Sequence, residues 1–323
     1  MAKEFRIATF NLENLDDRDR KGFEKRKKVL RPMMERINAD LLLLQEVNTL
    51  TALENLIKGL KKYENYDEKH TTRNGARYPR RNLVILSRYP IKEKHQYHHT
   101  HVKNPMWRKV TSKPPETRAK KIRWERPILH CEIELPGNRI LHAINLHLKS
   151  KNPTSIEGQQ DKKKYWLWLS HEGWAEGYFL SSVKRVGQAL ETRILIEELL
   201  RRDPFGTLIA LGGDINADIG SVPFKILVGS VTDTSNPELR RTVMVPCEYN
   251  VPPEQRYSHL YHGDGAMLNH IIVSNALYPH WVGTQIFNEL LPDESIAFAS
   301  DIKFPESDHA PVVARFESPE NWA

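Results

Sequence analysis

The feature that most constrains the fold is a regular alternation of short apolar runs with helical stretches along the chain. Apolar runs bounded by polar or turn residues are typical of buried strands. The runs are "FRIATFNL", "ADLLLLQEV", "NLVILSRYPI", "ILHCEIEL", "RILHAINLHL", "TLIALGGDI", "LNHIIVS" and "APVVARF". Apolar residues at helical spacing predict helices over residues 23–37, 51–62 and 178–202. Alternating strands and helices indicate an α/β domain.

Length and cysteine content agree with one large domain. A chain of 323 residues can bury a full core, and no low-complexity linker divides it. Its two cysteines, Cys131 and Cys247, have no zinc-type spacing and suggest no disulfide framework. The first residues lack the pattern of a signal peptide, and no apolar run reaches the roughly 18 residues of a membrane span. We therefore expect a cytoplasmic, monomeric protein without a membrane partner.

One segment supplies the positive net charge of the chain. The whole sequence has a formal charge of +7, whereas residues 92–126 alone contain eleven basic and three acidic residues. Tyr97, Trp107 and Trp124 lie between these charges, and basic residues interleaved with aromatic rings suit contact with phosphates and bases. A solvated surface loop is the alternative interpretation. The substrate-binding candidates in this segment are Lys120, Lys121 and Arg123.

Polar residues follow the apolar part of several predicted strands. They are Asn11 and Glu13, Glu46, Asn145 and His147, Asp214 and Asn216, and, at the start of the last strand, Asp308 and His309. Acids at several strand ends can meet at one edge of a sheet and form an oxygen-rich site. Oxygen ligands without cysteine favour Mg²⁺, Mn²⁺ or Ca²⁺ over zinc.

In order along the chain, the motifs "TFNLEN", "LLLQEV", "LVILSRYPI", "NLHLKS", "GDINAD", "LNHIIVS" and "SDHAPV" resemble those of the endonuclease/exonuclease/phosphatase superfamily. This group includes pancreatic-type deoxyribonucleases, AP endonucleases, neutral sphingomyelinases and inositol-polyphosphate phosphatases. The resemblance implies a four-layer α/β/β/α sandwich of two mixed sheets flanked by helices. It implies one such domain over residues 1–323, with a basic loop insertion near 92–126 and a helical insertion near 151–202.

The resemblance also implies a role for each site residue. Glu46 would be the principal metal ligand, with Asn11, Glu13 and Asp308 completing the ligand set around Mg²⁺, or Mn²⁺ or Ca²⁺ in its place. Asp214 would align or deprotonate the attacking water, and Asn216 would bind phosphoryl oxygens. His147 and His309 would flank the scissile phosphate. Such an arrangement stabilises the charge that develops during phosphoryl transfer.

One residue departs from the family pattern. Where the family has an aspartate that orients the final histidine, this chain has Asn269 in "MLNHIIVS". An asparagine carbonyl can accept the imidazole N–H but adds no negative charge. We therefore expect His309 to be less basic than in the family, unless Asp264 substitutes from the preceding loop.

Two further groups of residues have a possible function. His95, His98, His99 and His101 could bind a transition metal, but a solvated or nucleic-acid-facing loop is the favoured interpretation. Arg185 lies on the predicted helix that follows His147, where it could contact a substrate phosphate. The aromatic residues of the helical insertion are expected to pack in the core or in a lid.

The sequence thus favours a divalent-metal-dependent phosphodiesterase that hydrolyses nucleic acid, with DNA as the substrate, either as an endonuclease or as an exonuclease. A phosphatase or phospholipase-like enzyme acting on phosphoinositide or phospholipid is the first alternative. The sequence shows no exposed apolar hairpin that would favour it. A non-catalytic nucleic-acid-binding module is the second alternative.

Overall fold

The structure, a computed structural model, describes residues 3–78, 80–300 and 302–318. Its strands are β1 (Lys3–Leu15), β2 (Leu41–Val47), β3 (Asp67–His70), β4 (Thr72–Arg73), β5 (Ala76–Arg77), β6 (Asn82–Ser87), β7 (Ile91–Tyr97), β8 (Met106–Trp107), β9 (Lys120–Lys121), β10 (Ile128–Leu135), β11 (Arg139–His147), β12 (Leu208–Asp214), β13 (Val245–Pro246), β14 (His259–Tyr261), β15 (Asp264–Ala266), β16 (Asn269–Val273), β17 (Trp281–Ile286) and β18 (Val312–Ser318). Its helices are α1 (Arg20–Ile37), α2 (Leu50–Ile57), α3 (His171–Leu200), α4 (Val222–Val228), α5 (Val231–Thr234) and α6 (Glu294–Ser300).

The three predicted helices are present, with shifted ends. Helix α2 ends before the predicted residue 62 because Lys58 leaves the helical conformation and Gly59 follows with φ of 75°. Helix α3 begins before the predicted residue 178 because Ser170 caps it, accepting a hydrogen bond from Gly173 N at 3.1 Å. None of the helices within the described ranges combines the length and apolar character needed to cross a membrane.

Both predicted insertions differ from their expected form. In the segment near 92–126, residues up to Tyr97 form strand β7, so the basic loop begins only at residue 98. In the segment near 151–202, residues 151–170 form a loop, and helix α3 occupies the rest as far as Leu200. The helical insertion is therefore a loop followed by a long helix.

Two six-stranded sheets form the centre of the molecule. The first has the strand order β17-β18-β1-β2-β6-β3, in which β1 pairs antiparallel with β18 and parallel with β2. The second has the order β13-β16-β12-β11-β10-β7, in which β11 pairs antiparallel with β10 and parallel with β12. The prediction of two mixed sheets is confirmed.

The sheets pack face to face and are covered by helices on their outer faces. Buried apolar residues between the sheets include Ile7, Leu43, Ala143, Ala210 and Ile271. The outer face of the first sheet packs against α1 and α2 through Phe10, Leu42, Leu30 and Leu53. The outer face of the second packs against α3 and α4 through Ile144, Leu211, Leu195 and Phe224. These four layers confirm the predicted α/β/β/α sandwich.

The two insertions pack against each other and against α3. A separate apolar cluster joins them through Ile122, Trp124, Ile156 and Leu180. Trp124 is only 2% exposed, so the expectation that its ring is available to stack on bases is wrong. Burial of apolar area anchors the basic loop to the helix.

Two carboxylates of α3 hold the basic loop through hydrogen bonds. Glu176 accepts hydrogen bonds from Val110 N at 2.7 Å and from Thr111 N at 2.9 Å. Glu191 accepts one from Trp124 Nε1 at 2.6 Å. Hydrogen bonds to an ionised carboxylate are shorter and stronger than neutral ones. The loop therefore has a defined conformation beside α3.

We predict that Glu176→Gln lowers the free energy of unfolding by about 1.5–3 kcal/mol, because an amide cannot accept the hydrogen bonds that both carboxylate oxygens receive. Urea unfolding would measure the decrease, and limited proteolysis within residues 98–126 would locate it. Glu172→Gln, a change at an exposed position in the first turn of the same helix, is the control and should lower the free energy of unfolding by less than about 1 kcal/mol, the size of a charge–helix dipole interaction. Equal stability of the two variants would show that Glu176 does not anchor the loop.

Candidate active site

Two parallel strands of the first sheet, β1 and β2, end side by side and carry three of the predicted site residues. A bulge follows Asn11 in β1, and Glu13 within it has φ of 42°. Glu46, near the end of β2, has φ of 58°. Left-handed backbone at a non-glycine residue is strained and persists only where the surroundings hold it. Here Asn14 N donates a hydrogen bond to Glu46 Oε2 at 3.1 Å, which links the bulge to the carboxylate.

The second sheet contributes three residues in register. His147 of β11 lies opposite Asp214 of β12, and Asp214 lies opposite Asn269 of β16. Gly213 precedes Asp214 with φ of 144°, and a Cβ atom at this position would lie 2.0 Å from Leu146 O. Only glycine fits this close approach, so the glycine before the acid is a geometric requirement of the strand end.

Side chains from both sheets meet around Asp214. Asn11 Nδ2 donates a hydrogen bond to Asp214 Oδ2 at 3.0 Å. The same oxygen lies 3.4 Å from His147 Nε2 and 3.7 Å from His309 Nε2. Glu46 Oε1 lies 3.7 Å from His147 Nε2. The structure thus brings together residues that are far apart in the sequence, at the strand ends where they were expected.

Asn216 lies directly beyond Asp214. Its backbone N–H donates to Asp214 Oδ1 at 3.0 Å, and its Nδ2 donates to Leu148 O at 3.1 Å. The first bond fixes the orientation of the Asp214 carboxylate, and the second holds the Asn216 side chain beside the loop that follows β11. One amide hydrogen of Asn216 remains for another partner.

The predicted metal ligands form a crowded group of carboxylates. Asp308 N donates to Glu13 Oε2 at 3.1 Å. Burial, followed by the charges of Glu294 and Glu46, raises the pKa of Asp308 to about 7. Burial, followed by the charge of Asp308, raises the pKa of Glu13 to about 7. Asp308 Oδ1 is buried and has no hydrogen-bond partner among the described residues.

This donor set fits a divalent cation. The orphaned Asp308 oxygen and the mutual repulsion of the carboxylates both favour a bound cation in addition to the neighbouring Arg26. Asn11 Oδ1 already accepts a hydrogen bond from Glu13 N at 2.9 Å, so it has one lone pair left. Carboxylate and amide oxygens are the ligands of Mg²⁺, Mn²⁺ and Ca²⁺.

Two residues beside Asp308 were missed in the sequence. Glu294 Oε2 lies 2.9 Å from His259 Nε2, and the rings of His259 and His309 have centroids 5.3 Å apart. Atoms of His259, Glu294 and Asp308 are close enough together to hold a metal ion. His259 lies on the short strand β14 and Glu294 begins α6, so neither follows a long apolar run that would have marked it.

Asn269 contacts the histidine that it was expected to orient. Asn269 Oδ1 lies 2.6 Å from His309 Nδ1, while Asn269 Nδ2 is buried without a partner among the described residues. Asp264, the alternative partner, is exposed on β15. The neutral amide therefore occupies the position next to His309, and its effect on that ring stays a prediction.

Buried cations surround the other histidine. Arg126, at the end of the basic loop, donates from Nη1 to His147 O at 3.2 Å. Burial, followed by the charge of Arg126, lowers the pKa of His147 well below its usual range. Burial also lowers the pKa of Lys149, in the same loop region, to about 8. His147 is consequently neutral near pH 7.

The predicted substrate-binding residues differ in their exposure and in their contacts with the rest of the protein. Arg185 donates from Nη1 to Lys149 O at 3.0 Å and to Ser150 O at 2.9 Å, so it supports the loop after β11. Lys120 is exposed and pairs with Glu116 at 2.7 Å. The remaining candidates, Lys121 and Arg123, are exposed. Contact of these residues with substrate stays a prediction.

A wide cleft opens beside the carboxylates. Its volume is about 1250 Å³, and both Glu13 and Asp308 line it. The N-terminal part of α1 forms one wall with Lys21 and Lys25, and Phe304 lies on the rim. The cleft therefore leads from solvent to the carboxylate group along a positively charged helix.

Comparisons with known proteins agree with this arrangement. The sequence model of the Endonuclease/Exonuclease/phosphatase family matches residues 8–309. A comparison with curated protein sequences finds no match.

Several solved structures share the fold. A truncated TDP2 from Caenorhabditis elegans is 16% identical, with a TM-score of 0.57 over 98% of this chain and 98% of that chain. A mannosyl-6-phosphatase from Bacteroides thetaiotaomicron is 16% identical, with a TM-score of 0.56 over 96% of this chain and 98% of that chain. D. rerio TDP2 complexed with single-strand DNA product is 10% identical, with a TM-score of 0.55 over 98% of this chain and 100% of that chain.

At these identities the solved structures establish the fold and leave the substrate open. The family model extends from β1 to the histidine before β18, and it therefore includes all the strand ends described above. The chain belongs to the endonuclease/exonuclease/phosphatase family and is a hydrolytic phosphoesterase.

Proposed function

We propose that this phosphoesterase hydrolyses phosphodiester bonds of nucleic acid, that DNA is its preferred substrate, and that Mg²⁺ is its metal. The observation that carries the proposal is the open cleft beside the carboxylates, in which basic side chains of α1 face the acidic group of Glu13 and Asp308. Its volume of about 1250 Å³ is large for a single small ligand, since small-molecule pockets span about 300–1000 Å³. A polymer with one charge per phosphate suits Lys21 and Lys25 on its wall.

The shared fold supports the same substrate class. D. rerio TDP2, which has this fold, was solved with a single-strand DNA product. Both insertions contact the site in this protein. Arg126 lies beside His147, and Arg185 lies beside Lys149. The basic loop that ends at Arg126 therefore extends the cationic surface away from the scissile bond.

Glu46, Glu13 and Asp308 would hold the metal. When bound, a divalent ion at these residues supplies positive charge against the phosphate under attack. Every donor in the group is an oxygen, which suits Mg²⁺, with Mn²⁺ or Ca²⁺ as alternatives. Asn11 positions the group by bonding both Glu13 N and Asp214.

We assign the attacking water to Asp214. Its two oxygens are fixed by Asn11 Nδ2 and by Asn216 N, so the carboxylate is oriented before substrate binds. A buried carboxylate in a fixed orientation can accept a proton from water without reorganising. The free amide hydrogen of Asn216 can then donate to a phosphoryl oxygen.

The two histidines flank this carboxylate. His147 Nε2 and His309 Nε2 lie 3.4 Å and 3.7 Å from Asp214 Oδ2. Each ring can offer a donor to the non-bridging oxygens of a phosphate placed between them. Asn269 fixes the His309 ring through Nδ1 and leaves Nε2 facing the site.

A second candidate function is supported by one specific observation. Residues 165–169 of the second insertion expose apolar side chains, among them Tyr165 at 73% and Trp166 at 62%, directly after three lysines. The expectation that no apolar hairpin is exposed is therefore wrong, and the expected packing of the aromatic residues holds for Trp168 but not for Trp166. Aromatic residues beside lysines suit a lipid surface, and a phosphoesterase acting on phosphoinositide is the second candidate.

A substrate panel tests the proposal. Supercoiled plasmid, linear DNA, RNA, an abasic duplex and phosphoinositide vesicles would each be incubated with Mg²⁺, Mn²⁺ or EDTA. We expect DNA cleavage with Mg²⁺ or Mn²⁺ and none with EDTA. Hydrolysis of phosphoinositide alone would replace the proposal with the second candidate. Full activity in EDTA would contradict the metal, and binding of DNA without any hydrolysis would indicate a non-catalytic module.

In the same assay, Glu46→Gln and Asp214→Asn should each reduce kcat by at least about a hundredfold, because each removes a charge from the reacting centre. Circular dichroism would show that both variants remain folded. Glu64→Gln, at an exposed position outside the site, is the control and should keep wild-type kcat. Wild-type turnover by either site variant would rule out its assigned role.

We predict that neutralising Lys121 and Arg123 together weakens DNA binding and reduces its salt dependence. Lys120 is left unchanged because Glu116 already pairs with it. The slope of log affinity against log salt should fall by about 0.9 for each duplex phosphate that the variant no longer neutralises. Fluorescence anisotropy at several salt concentrations would measure the slope. Neutralising Arg201 and Arg202, which are exposed at the end of α3, is the charge-matched control. An equal slope in the two double variants would show that the basic loop is a solvated surface without a specific role in DNA binding.

We predict that Asn269→Asp shifts the pH dependence of kcat/KM to higher pH. An aspartate next to His309 Nδ1 would favour the protonated ring, so the limb of the profile that reports this histidine should move upward. The shift should disappear in the double variant Asn269→Asp with His309→Ala, since the coupling needs both partners. Identical profiles for wild type and Asn269→Asp would show that the contact has no functional effect.

A further inference from the structure

The outer face of the second sheet carries a group of histidines and glutamates that the proposed reaction does not use. We call it the histidine patch; its members are Glu93, His95, His130, Glu132 and His142. The sequence analysis favoured a solvated or nucleic-acid-facing loop for His95. The structure places it on β7, beside two glutamates.

Strand register explains why these side chains meet. His130 of β10 lies opposite His95 of β7, and Glu132 lies opposite His142 of β11. Directly paired residues of antiparallel strands share a face, as do residues two apart on one strand. His130, Glu132 and their partners therefore project together from three adjacent strands.

The distances within the patch suit a common metal ion. His130 Nε2 lies 3.0 Å from His142 Nδ1, and His142 Nδ1 lies 3.8 Å from Glu132 Oε1. Two nitrogens bound to one tetrahedral ion at about 2.0–2.1 Å lie about 3.3–3.4 Å apart. Only small side-chain adjustments would therefore bring these atoms around one ion.

The surroundings hold the ligand rings in place. His130 is 1% exposed, its ring stacks on His95 with centroids 5.3 Å apart, and Tyr97 Oη lies 3.5 Å from its Nδ1. Metal-binding histidines are commonly oriented by such a contact to the second ring nitrogen.

We propose that His130, Glu132 and His142 form a second metal site that binds zinc or a similar transition metal. Two imidazole nitrogens and one carboxylate oxygen are a set that zinc accepts, with water in the fourth position. Magnesium disfavours such nitrogen ligands, so the site differs in chemistry from the carboxylate group of the active site.

The proposed site is separate from the catalytic centre. His142 and His147 both lie on β11 but are five residues apart, so they point to opposite faces of the sheet. Along the strand their positions differ by about 17 Å. An ion bound here would join β10 to β11 on the outer face and would stabilise the folded state through binding.

Zinc binding by the full-length protein tests the proposal. Protein stripped with EDTA would be placed in excess Mg²⁺ and titrated with zinc chloride by calorimetry, and the zinc retained after gel filtration would be measured by mass spectrometry. We expect one retained equivalent in wild type and in Glu46→Gln, in which the active-site ligand is removed. His142→Gln and Glu132→Gln should weaken zinc binding at least about a hundredfold, and Tyr97→Phe by about tenfold.

Glu134→Gln is the matched control. Glu134 lies two residues beyond Glu132 on β10 and pairs with Lys92 at 2.7 Å, so this variant removes the same charge from the same strand. We expect wild-type zinc binding in this variant, and a zinc-dependent rise in Tm that His142→Gln lacks. Failure of wild type to retain zinc, or equal retention by His142→Gln, would overturn the proposal without bearing on the nuclease activity.

Discussion

The hydrogen bond from Asn11 Nδ2 to Asp214 Oδ2 joins the two sheets at the candidate active site. Asn11 lies on β1 of the first sheet and Asp214 on β12 of the second, so neither sheet alone contains the site. Each sheet supplies strand ends, and the packed core between them sets their separation. A change in sheet packing would therefore alter the site directly, because its donors and acceptors belong to different layers.

The layers, and the presence of acidic residues at neighbouring strand ends, were predictable from the sequence. Asp214 and Glu46 each follow an apolar run, and an acid at the end of a buried strand has few structural reasons to be there. The order of the motifs resembles that of the family, and this resemblance predicted the sandwich. β1 pairs in parallel with β2, and β11 pairs in parallel with β12, so the carboxyl ends of the paired strands lie at the same edge of each sheet. The strand pattern of the sequence can predict this arrangement.

Other parts of the site could not be read from the sequence. His259 and Glu294 reach Asp308 from a three-residue strand and from the first residue of a short helix, where no periodicity marks a position. The sequence suggested that Trp124 stacks on bases. The structure buries Trp124, and its indole N–H donates a hydrogen bond to Glu191, which is distant in the sequence. Such contacts arise from tertiary packing, which local patterns do not encode.

The candidate site residues and the basic loop are held in place by different kinds of contact. The strands β1, β2, β11 and β12 are interior strands of their sheets, so each is hydrogen-bonded on both sides and we expect local opening to be least favourable there. The loop over residues 98–126 depends on a small apolar cluster and on the carboxylates of Glu176 and Glu191. Partial opening of this loop would leave the strand ends intact. The surface beside the candidate site can therefore rearrange while the site residues keep the positions that the two sheets set.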